Sequence, residues 1–279
     1  MSSRYEARFR ELKKEKKKAF MPFTVLGWPD RNRSFQLIEQ MIGAGVSALE
    51  LGFAFSDPVA DGPLIQRATN ETIQSGFSVS DGLELVKKVR EIDDNIPIGV
   101  LIYFNLILAK GIEKFFQMAK DAGIDGVLIA DLPADEADEV LPTAKKYGID
   151  LIFLISPVSP EARIELIAKQ ASGFLYLLSR LGVTGTGLRS AEKDRSLTDL
   201  IGTIKAKTRV PVCAGFGISR DTDATTMFNS GADGVISGSR VIELARDAEQ
   251  GHSLLQQFYA EMMAACSYSS ESGKATAFN

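Results

Sequence analysis

Eight short hydrophobic runs, separated by helical patterns, constrain the fold of this 279-residue chain more than any other feature. Strands that are covered by helices on both faces are expected to be almost continuously apolar, and each run has that character. A strand–helix unit repeated eight times predicts a (β/α)8 barrel. The runs are Phe20 to Leu26, Ala48 to Gly52, Ile98 to Tyr103, Gly126 to Ala130, Leu151 to Ile155, Phe174 to Leu178, Val210 to Gly215 and Gly234 to Ser237.

The segments between these runs carry helical signals. Phe35, Ile38, Met41 and Ile42 recur at helical spacing, as do Ile112, Phe115, Phe116 and Ala119. A glycine that suits the left-handed end of a helix precedes several strands, at Gly45, Gly123, Gly148 and Gly231. A doubly wound open sheet is the alternative, but no Gly-x-Gly-x-x-Gly follows the first run. We therefore predict one barrel domain over residues 1–267 with an extra N-terminal helix, and a disordered polar tail over residues 268–279.

Composition narrows the class of protein. A net charge of −4 and a pI near 5.3 argue against a nucleic-acid surface, and the basic cluster from Lys13 to Lys18 is interpreted as the solvated face of the N-terminal helix. Cys213 and Cys266 are distant and lack Cys-x-x-Cys spacing, which predicts a reducing compartment and no structural metal, and the lone His252 is interpreted as structural or exposed. Without a signal peptide or a membrane-length apolar run, we expect a cytoplasmic protein.

Two carboxylates fall where a barrel places its chemistry, at the C-terminal ends of the strands. Glu50 ends the second predicted strand, and Asp61 lies in the loop that follows. Because strand side chains alternate, Glu50 shares a face with Ala48 and points into the barrel mouth if the flanking leucines pack against helices. Two carboxylates in different environments suit acid–base catalysis. The structural alternative is that Glu50 forms a buried ion pair and Asp61 caps the helix that begins near Pro63.

Glycine-rich loops follow the last three predicted strands, at Gly182 to Gly187, Gly215 to Ser219 and Ser237 to Ser239. Backbone N–H groups of late barrel loops often hold phosphate, although ordinary loop glycines are the alternative. This mode of binding requires no Lys or Arg, and Arg189 and Lys193 of loop six are the cations placed to approach it.

Other residues near strand ends leave two interpretations open. Asp131 is either a third acidic participant or a residue that orders its loop. Phe23, Leu101, Tyr103 and Leu128 either line a flat apolar pocket or belong to the core.

The segment from Glu50 to Gln66, ELGFAFSDPVADGPLIQ, closely resembles the signature of the tryptophan synthase α chain family. The resemblance covers nearly the whole sequence and ends before Tyr268. It includes Pro22-Phe23, Gly27-Trp28-Pro29, Tyr103-Phe104-Asn105, Asp131-Leu132-Pro133, Tyr176 to Arg180, Gly182 to Gly185, Gly215 to Ser219 and Ile236 to Ser239.

The resemblance implies a carbon–carbon lyase of tryptophan biosynthesis that cleaves indole-3-glycerol phosphate to indole and glyceraldehyde 3-phosphate. It implies that Glu50 is the general acid–base, that Asp61 accepts a hydrogen bond from the indole N–H, and that Tyr176 lies beside Glu50. Thr184 is expected to help close loop six over Asp61. The remaining implied contacts are Gly185, Gly217, Gly238 and Ser239 for the phosphate, and Phe23, Leu101, Leu128 and Phe216 for the indole.

Family members pair with a β chain that binds pyridoxal phosphate (PLP) and receives the indole, so an α2β2 heterotetramer is implied, with no cofactor in this chain. Segments after Glu50 and Tyr103 are expected to face that partner. There the sequence has Ala54 where proline is usual, and Trp28 and Phe53 are also less common. The alternatives are a free-standing lyase that releases indole, a catalytically silent barrel kept as a binding partner, and another phosphate-binding barrel such as an isomerase.

Overall fold

A computed structural model describes residues 3–179, 196–247 and 249–267 of the chain. Eight parallel strands close into a barrel in chain order, which confirms the predicted (β/α)8 fold. The strands lie at nearly the predicted bounds: β1 Ala19–Val25, β2 Leu49–Gly52, β3 Ile98–Ile102, β4 Gly126–Ile129, β5 Asp150–Ile155, β6 Leu175–Leu178, β7 Val212–Gly215 and β8 Gly234–Ser237.

Helices surround the barrel and include the predicted N-terminal helix, α1 (Arg4–Lys14). The long connection after β2 contains two of them. The others described are α2 Arg31–Gly43, α3 Pro63–Gln74, α4 Val79–Ile92, α5 Phe104–Lys110, α6 Ile112–Asp121, α7 Leu141–Tyr147, α8 Glu161–Gln170, α9 Leu197–Lys207, α10 Asp221–Asn229, α11 Ser239–Ala245 and α12 Gly251–Cys266, with a 3-10 helix at Ala134–Glu139. The predicted tail at 268–279 lies outside the described residues, and within them no helix is long and apolar enough to cross a membrane.

Apolar side chains form two layers, as the alternation along each strand predicts. Leu49 and Leu51 belong to the layer between the strands and the helices, whereas Ala48 belongs to the cluster inside the barrel. Glu50 is therefore on the inner face of β2, with Phe23 of β1 beside it in register. This placement confirms that the Glu50 side chain points into the barrel.

The N-terminal helix covers the end of the barrel where the strands begin. Tyr5 is 1% exposed, and its ring centroid lies 5.4 Å from that of Phe174. A Cβ atom at Gly99 would come within 2.4 Å of the Tyr5 hydroxyl, so the glycine makes room for the tyrosine. Arg4 fixes the helix by donating to Asp125 at 2.7 Å. This end is thus occupied by α1, and the opposite end holds the candidate site.

The basic cluster matches its interpretation only in part. Lys13 and Lys14 are exposed in the last turn of α1, but the helix ends there and Lys16 has a left-handed φ of 57°. Lys18 is half-buried, and its amino group donates to the carbonyl of Ala232 at 2.8 Å. The second half of the cluster is therefore the connection into β1 and no longer a helix face.

Candidate active site

A cavity of about 170 Å³ opens at the C-terminal ends of the strands and contains both predicted carboxylates. It brings together most of the predicted site: Phe23, Glu50, Asp61, Leu101, Tyr176, Phe216, Gly217, Gly238 and Ser239. Leu128 is the exception, because it pairs in register with Leu101 but packs in the interior cluster and does not line the cavity. Thr184 and Gly185, like Arg189 and Lys193, lie outside the described residues.

Glu50 is a buried carboxyl without a counter-ion among the described residues. Glu50 is 3% exposed, and no described side chain donates a hydrogen bond to its carboxyl or forms an ion pair with it. The described residues therefore give no support to the ion-pair alternative. Burial, assisted by the nearby Asp61 carboxylate, raises the pKa of Glu50 to about 8. At neutral pH the group is therefore mostly protonated and able to donate a proton.

Asp61 occupies a tight turn before α3. Its backbone N–H donates to the carbonyl of Pro58 at 3.0 Å, and its own carbonyl accepts from the side-chain amide of Gln66 at 2.9 Å. The helix-cap alternative is wrong, since Gly62 is the N-cap residue of α3 and no side chain caps it. Burial raises the pKa of Asp61 to about 6, although the Tyr103 hydroxyl acts against that rise.

Tyr103 supports the Asp61 loop from the end of β3. Its hydroxyl donates to Asp61 Oδ2 at 3.4 Å and accepts from the backbone N–H of Ala60 at 3.1 Å. Its ring stacks on Phe55 with centroids 4.7 Å apart. The sequence places Tyr103 at a strand end, but its contact with Asp61 depends on how the loop after β2 folds back.

Tyr176 on β6 lies against β7, where only a glycine fits. A Cβ atom at Gly215 would lie 2.1 Å from the Tyr176 hydroxyl oxygen. Burial and the nearby carboxylates of Glu50 and Asp61 raise the pKa of Tyr176 well above its ordinary value. The phenol therefore stays protonated and can donate a hydrogen bond inside the cavity.

The loop after β7 has an unusual backbone that neighbouring strands hold in place. Phe216 and Gly217 both have left-handed φ values, 69° and 78°, and this conformation is costly for a phenylalanine. Ser179 donates to the carbonyl of Phe216, and Ser237 donates to the carbonyl of Ile218 at 2.6 Å. The two serines fix the loop from both sides and so position the Phe216 ring and the Gly217 backbone at the cavity.

Phe23 separates two regions of the cavity. A Cβ atom at Gly52 would lie 2.6 Å from the tip of its ring, and one at Gly238 would lie 2.9 Å from the ring. The phenyl group thus fills the space between the end of β2, with Glu50, and the turn after β8. Leu101 and Phe216 provide further apolar walls, so that the cavity combines an apolar slot with an acidic region and a glycine-rich region.

Asp131 has a structural role in this arrangement. Its Oδ1 accepts from the backbone N–H of Phe104 at 2.7 Å, which ties the loop after β4 to the start of α5. It is not among the residues that line the cavity. Of the two interpretations, loop ordering is the one that agrees with the structure.

Six lining residues were not anticipated as site residues. Arg240 follows the predicted phosphate pair Gly238 and Ser239, and that adjacency is a signal which could have identified it. Ile65, Ile218 and Ile236 could not be identified from the sequence, because their place in the cavity depends on how loops and strands pack. The six are Gly62, Ile65, Ile218, Ser219, Ile236 and Arg240. No group of three or more His, Cys, Asp or Glu residues able to hold a metal ion occurs in the described part of the chain.

Comparison with known proteins gives a consistent result. The family whose sequence model is described as "Tryptophan synthase alpha chain" matches residues 9–269. The tryptophan synthase alpha chain of Helicobacter pylori is 44% identical over 244 residues, which are 88% of this chain and 92% of that protein.

Solved structures that resemble this chain are also those of tryptophan synthases. A Mycobacterium tuberculosis tryptophan synthase structure superposes with a TM-score of 0.86 at 29% identity, covering 96% of this chain and 100% of that one. A chain of the tryptophan synthase α2β2 complex of Pyrococcus furiosus superposes with a TM-score of 0.78 at 29% identity, covering 89% of this chain and 99% of that one.

Proposed function

The chain belongs to the tryptophan synthase alpha chain family, and from that premise we propose that it cleaves indole-3-glycerol phosphate to indole and glyceraldehyde 3-phosphate. The observation that carries this proposal is the placement of two buried carboxyls of different pKa, Glu50 and Asp61, in one apolar cavity. At one pH, two such groups can therefore be in different protonation states, with Glu50 protonated and Asp61 ionised.

Glu50 is the general acid–base of the proposed reaction. Its protonated carboxyl gives a proton to indole C3, and the ring nitrogen takes up the positive charge. A base then removes the proton of the adjacent carbinol hydroxyl, for which the Glu50 carboxylate just formed is suitable. The carbon–carbon bond breaks as the aldehyde carbonyl forms, and its electron pair returns to the ring and restores neutral indole. A pKa near 8 makes the acid form the main one at neutral pH.

Asp61 is proposed to accept a hydrogen bond from the indole N–H. Because its pKa is about 6, it is mostly ionised at pH 7 while Glu50 is mostly protonated. The carboxylate stabilises the positive charge that develops on the ring nitrogen. Tyr103 fixes its direction through the 3.4 Å hydrogen bond.

The remaining contacts orient the substrate. Phe23, Leu101 and Phe216 provide the apolar surface that an indole ring requires, and the protonated Tyr176 donates a hydrogen bond within the same space. We propose that the phosphate binds to the backbone at Gly217, Gly238 and Ser239. Leu128 supports the slot from the interior and makes no direct contact, and Thr184 and Gly185 remain proposed partners from loop six.

We further propose that this chain pairs with a β chain that binds PLP and passes indole to it. The similarity to a chain of the tryptophan synthase α2β2 complex of Pyrococcus furiosus supports the pairing. Large apolar side chains are exposed on the two segments expected at that interface, Val59 at 76% and Leu108 at 46%. A partner bound to these segments would remove this apolar surface from water, which favours association. The free thiols Cys213 and Cys266 suit a reducing cytoplasm.

The test is indole release from indole-3-glycerol phosphate by the purified chain, with and without a β chain. We expect Glu50→Gln to lower turnover by about two orders of magnitude or more while phosphate binding is kept. Glu84→Gln, at an exposed position of α4, is the matched control and should retain activity. Near-normal turnover of Glu50→Gln would reject the assignment, and a rate unaffected by the β chain would favour the free-standing lyase.

A further inference from the structure

Arg240 is the one cationic residue among the described residues that line the cavity. It directly follows Gly238 and Ser239 in the turn after β8, at the start of α11. The other ionisable side chains of the lining are Glu50, which is mostly protonated at neutral pH, and Asp61, which is mostly ionised. Ionised Asp61 repels a phosphate dianion in the same cavity, and a cation in the lining offsets that repulsion.

The guanidinium of Arg240 forms a weak, exposed ion pair with Glu243. Its Nη1 donates to Glu243 at 2.9 Å, one turn further along α11, and the two side chains are 38% and 55% exposed. Exposed ion pairs at this spacing contribute little to stability because water screens them. A phosphate dianion accepts two parallel hydrogen bonds from a guanidinium and carries more charge than a carboxylate.

We propose that Arg240 exchanges Glu243 for the substrate phosphate and so determines which end of the cavity the phosphate enters. In the ligand-free protein, Glu243 keeps the guanidinium at the rim. When the phosphate arrives beside Gly238 and Ser239, the guanidinium binds it, and the indole ring is directed to the side of Phe23 where Glu50 lies. Arg240 thereby selects phosphorylated substrates over unphosphorylated indole glycerols. This inference rests on the proposed function.

The experiment compares Arg240→Gln, Glu243→Gln and, as the matched control, Arg163→Gln, which removes a similarly exposed ion-paired arginine of α8. Binding of inorganic phosphate and of indole is measured by calorimetry, and kcat and KM are measured with indole-3-glycerol phosphate. For Arg240→Gln we expect Kd for phosphate and KM to rise about tenfold, the usual scale for a charge-assisted hydrogen bond, with kcat and indole affinity nearly unchanged. Glu243→Gln should bind phosphate more tightly than the unaltered chain, because the competing carboxylate is gone.

Unchanged phosphate affinity in Arg240→Gln would overturn the proposal, and so would an equal loss of indole affinity, which indicates a collapsed cavity. Weaker phosphate binding by Glu243→Gln would contradict the exchange. The binding measurements do not depend on the test of the reaction. If the unaltered chain releases no indole, the proposed function fails, while the phosphate measurements still decide the role of Arg240.

Discussion

Replacing Glu50 by glutamine should stabilise the folded protein at high pH, even though it removes the proposed catalytic acid. Burial raises the pKa of this carboxyl from its ordinary 4.5 to about 8. Each pKa unit corresponds to about 1.4 kcal/mol, so the folded state bears a cost of about 5 kcal/mol when Glu50 is ionised. Glutamine has nearly the same shape and never ionises, so the variant escapes that cost.

The sign of the effect follows from proton binding. Below pH 4.5 the carboxyl is protonated in both states and costs nothing. Between pH 4.5 and about 8 the unfolded chain has released the proton and the folded chain has kept it, so the unaltered protein loses stability as the pH rises. The advantage of Glu50→Gln should therefore grow across this window and become constant above pH 8.

Urea unfolding at pH 5 and pH 9 measures this directly. We expect the free energy of unfolding of Glu50→Gln, relative to the unaltered chain, to rise by several kcal/mol between the two pH values, with about 5 kcal/mol as the upper bound. Constant contributions, such as the burial of a neutral amide, cancel in that difference. Glu84→Gln should show no comparable change. A Glu50→Gln difference that is the same at both pH values would refute the burial argument.

Three further predictions concern the chemistry. The pH profile of kcat/KM should be bell-shaped with limbs near pH 6 and pH 8, because the active form has Asp61 ionised and Glu50 protonated; a profile flat from pH 5 to 9 would contradict it. Tyr103→Phe removes a hydrogen bond to ionised Asp61, so the acidic limb of the same profile should move upward by about half a pH unit to one pH unit. An unchanged acidic limb would show that this hydrogen bond does not stabilise the Asp61 carboxylate. Gly217→Val forces a branched residue into a φ of 78°, so KM for the phosphorylated substrate should rise about tenfold or more while indole affinity, measured by calorimetry, changes little; unchanged KM would exclude this backbone as a phosphate contact.

The sequence alone predicted the parts of this protein that depend on periodicity. The eight strands appear at nearly their predicted bounds because continuous apolar runs reflect burial on both faces, a local property. Alternation along β2 likewise placed Glu50 on the inner face. These features require no knowledge of distant contacts.

Features that depend on loop conformation could not be obtained that way. The hydroxyl of Tyr103 reaches Asp61 only because the loop after β2 turns back over the end of β3. Leu128 matched the family pattern for a substrate contact, yet it packs inside the barrel beside Leu101. The adjacency of Arg240 to Gly238 and Ser239 is visible in the sequence, whereas its place in the cavity lining is known only from the fold.

The burial of Tyr5 against Phe174 has a consequence for the order in which the chain folds during synthesis. Tyr5 is synthesised well before Phe174, against which its ring packs. At typical translation rates the delay is on the order of 10 s, during which the first helix has no completed site to occupy. Helix α1 can therefore complete its packing only after β6, next to Phe174, has been synthesised.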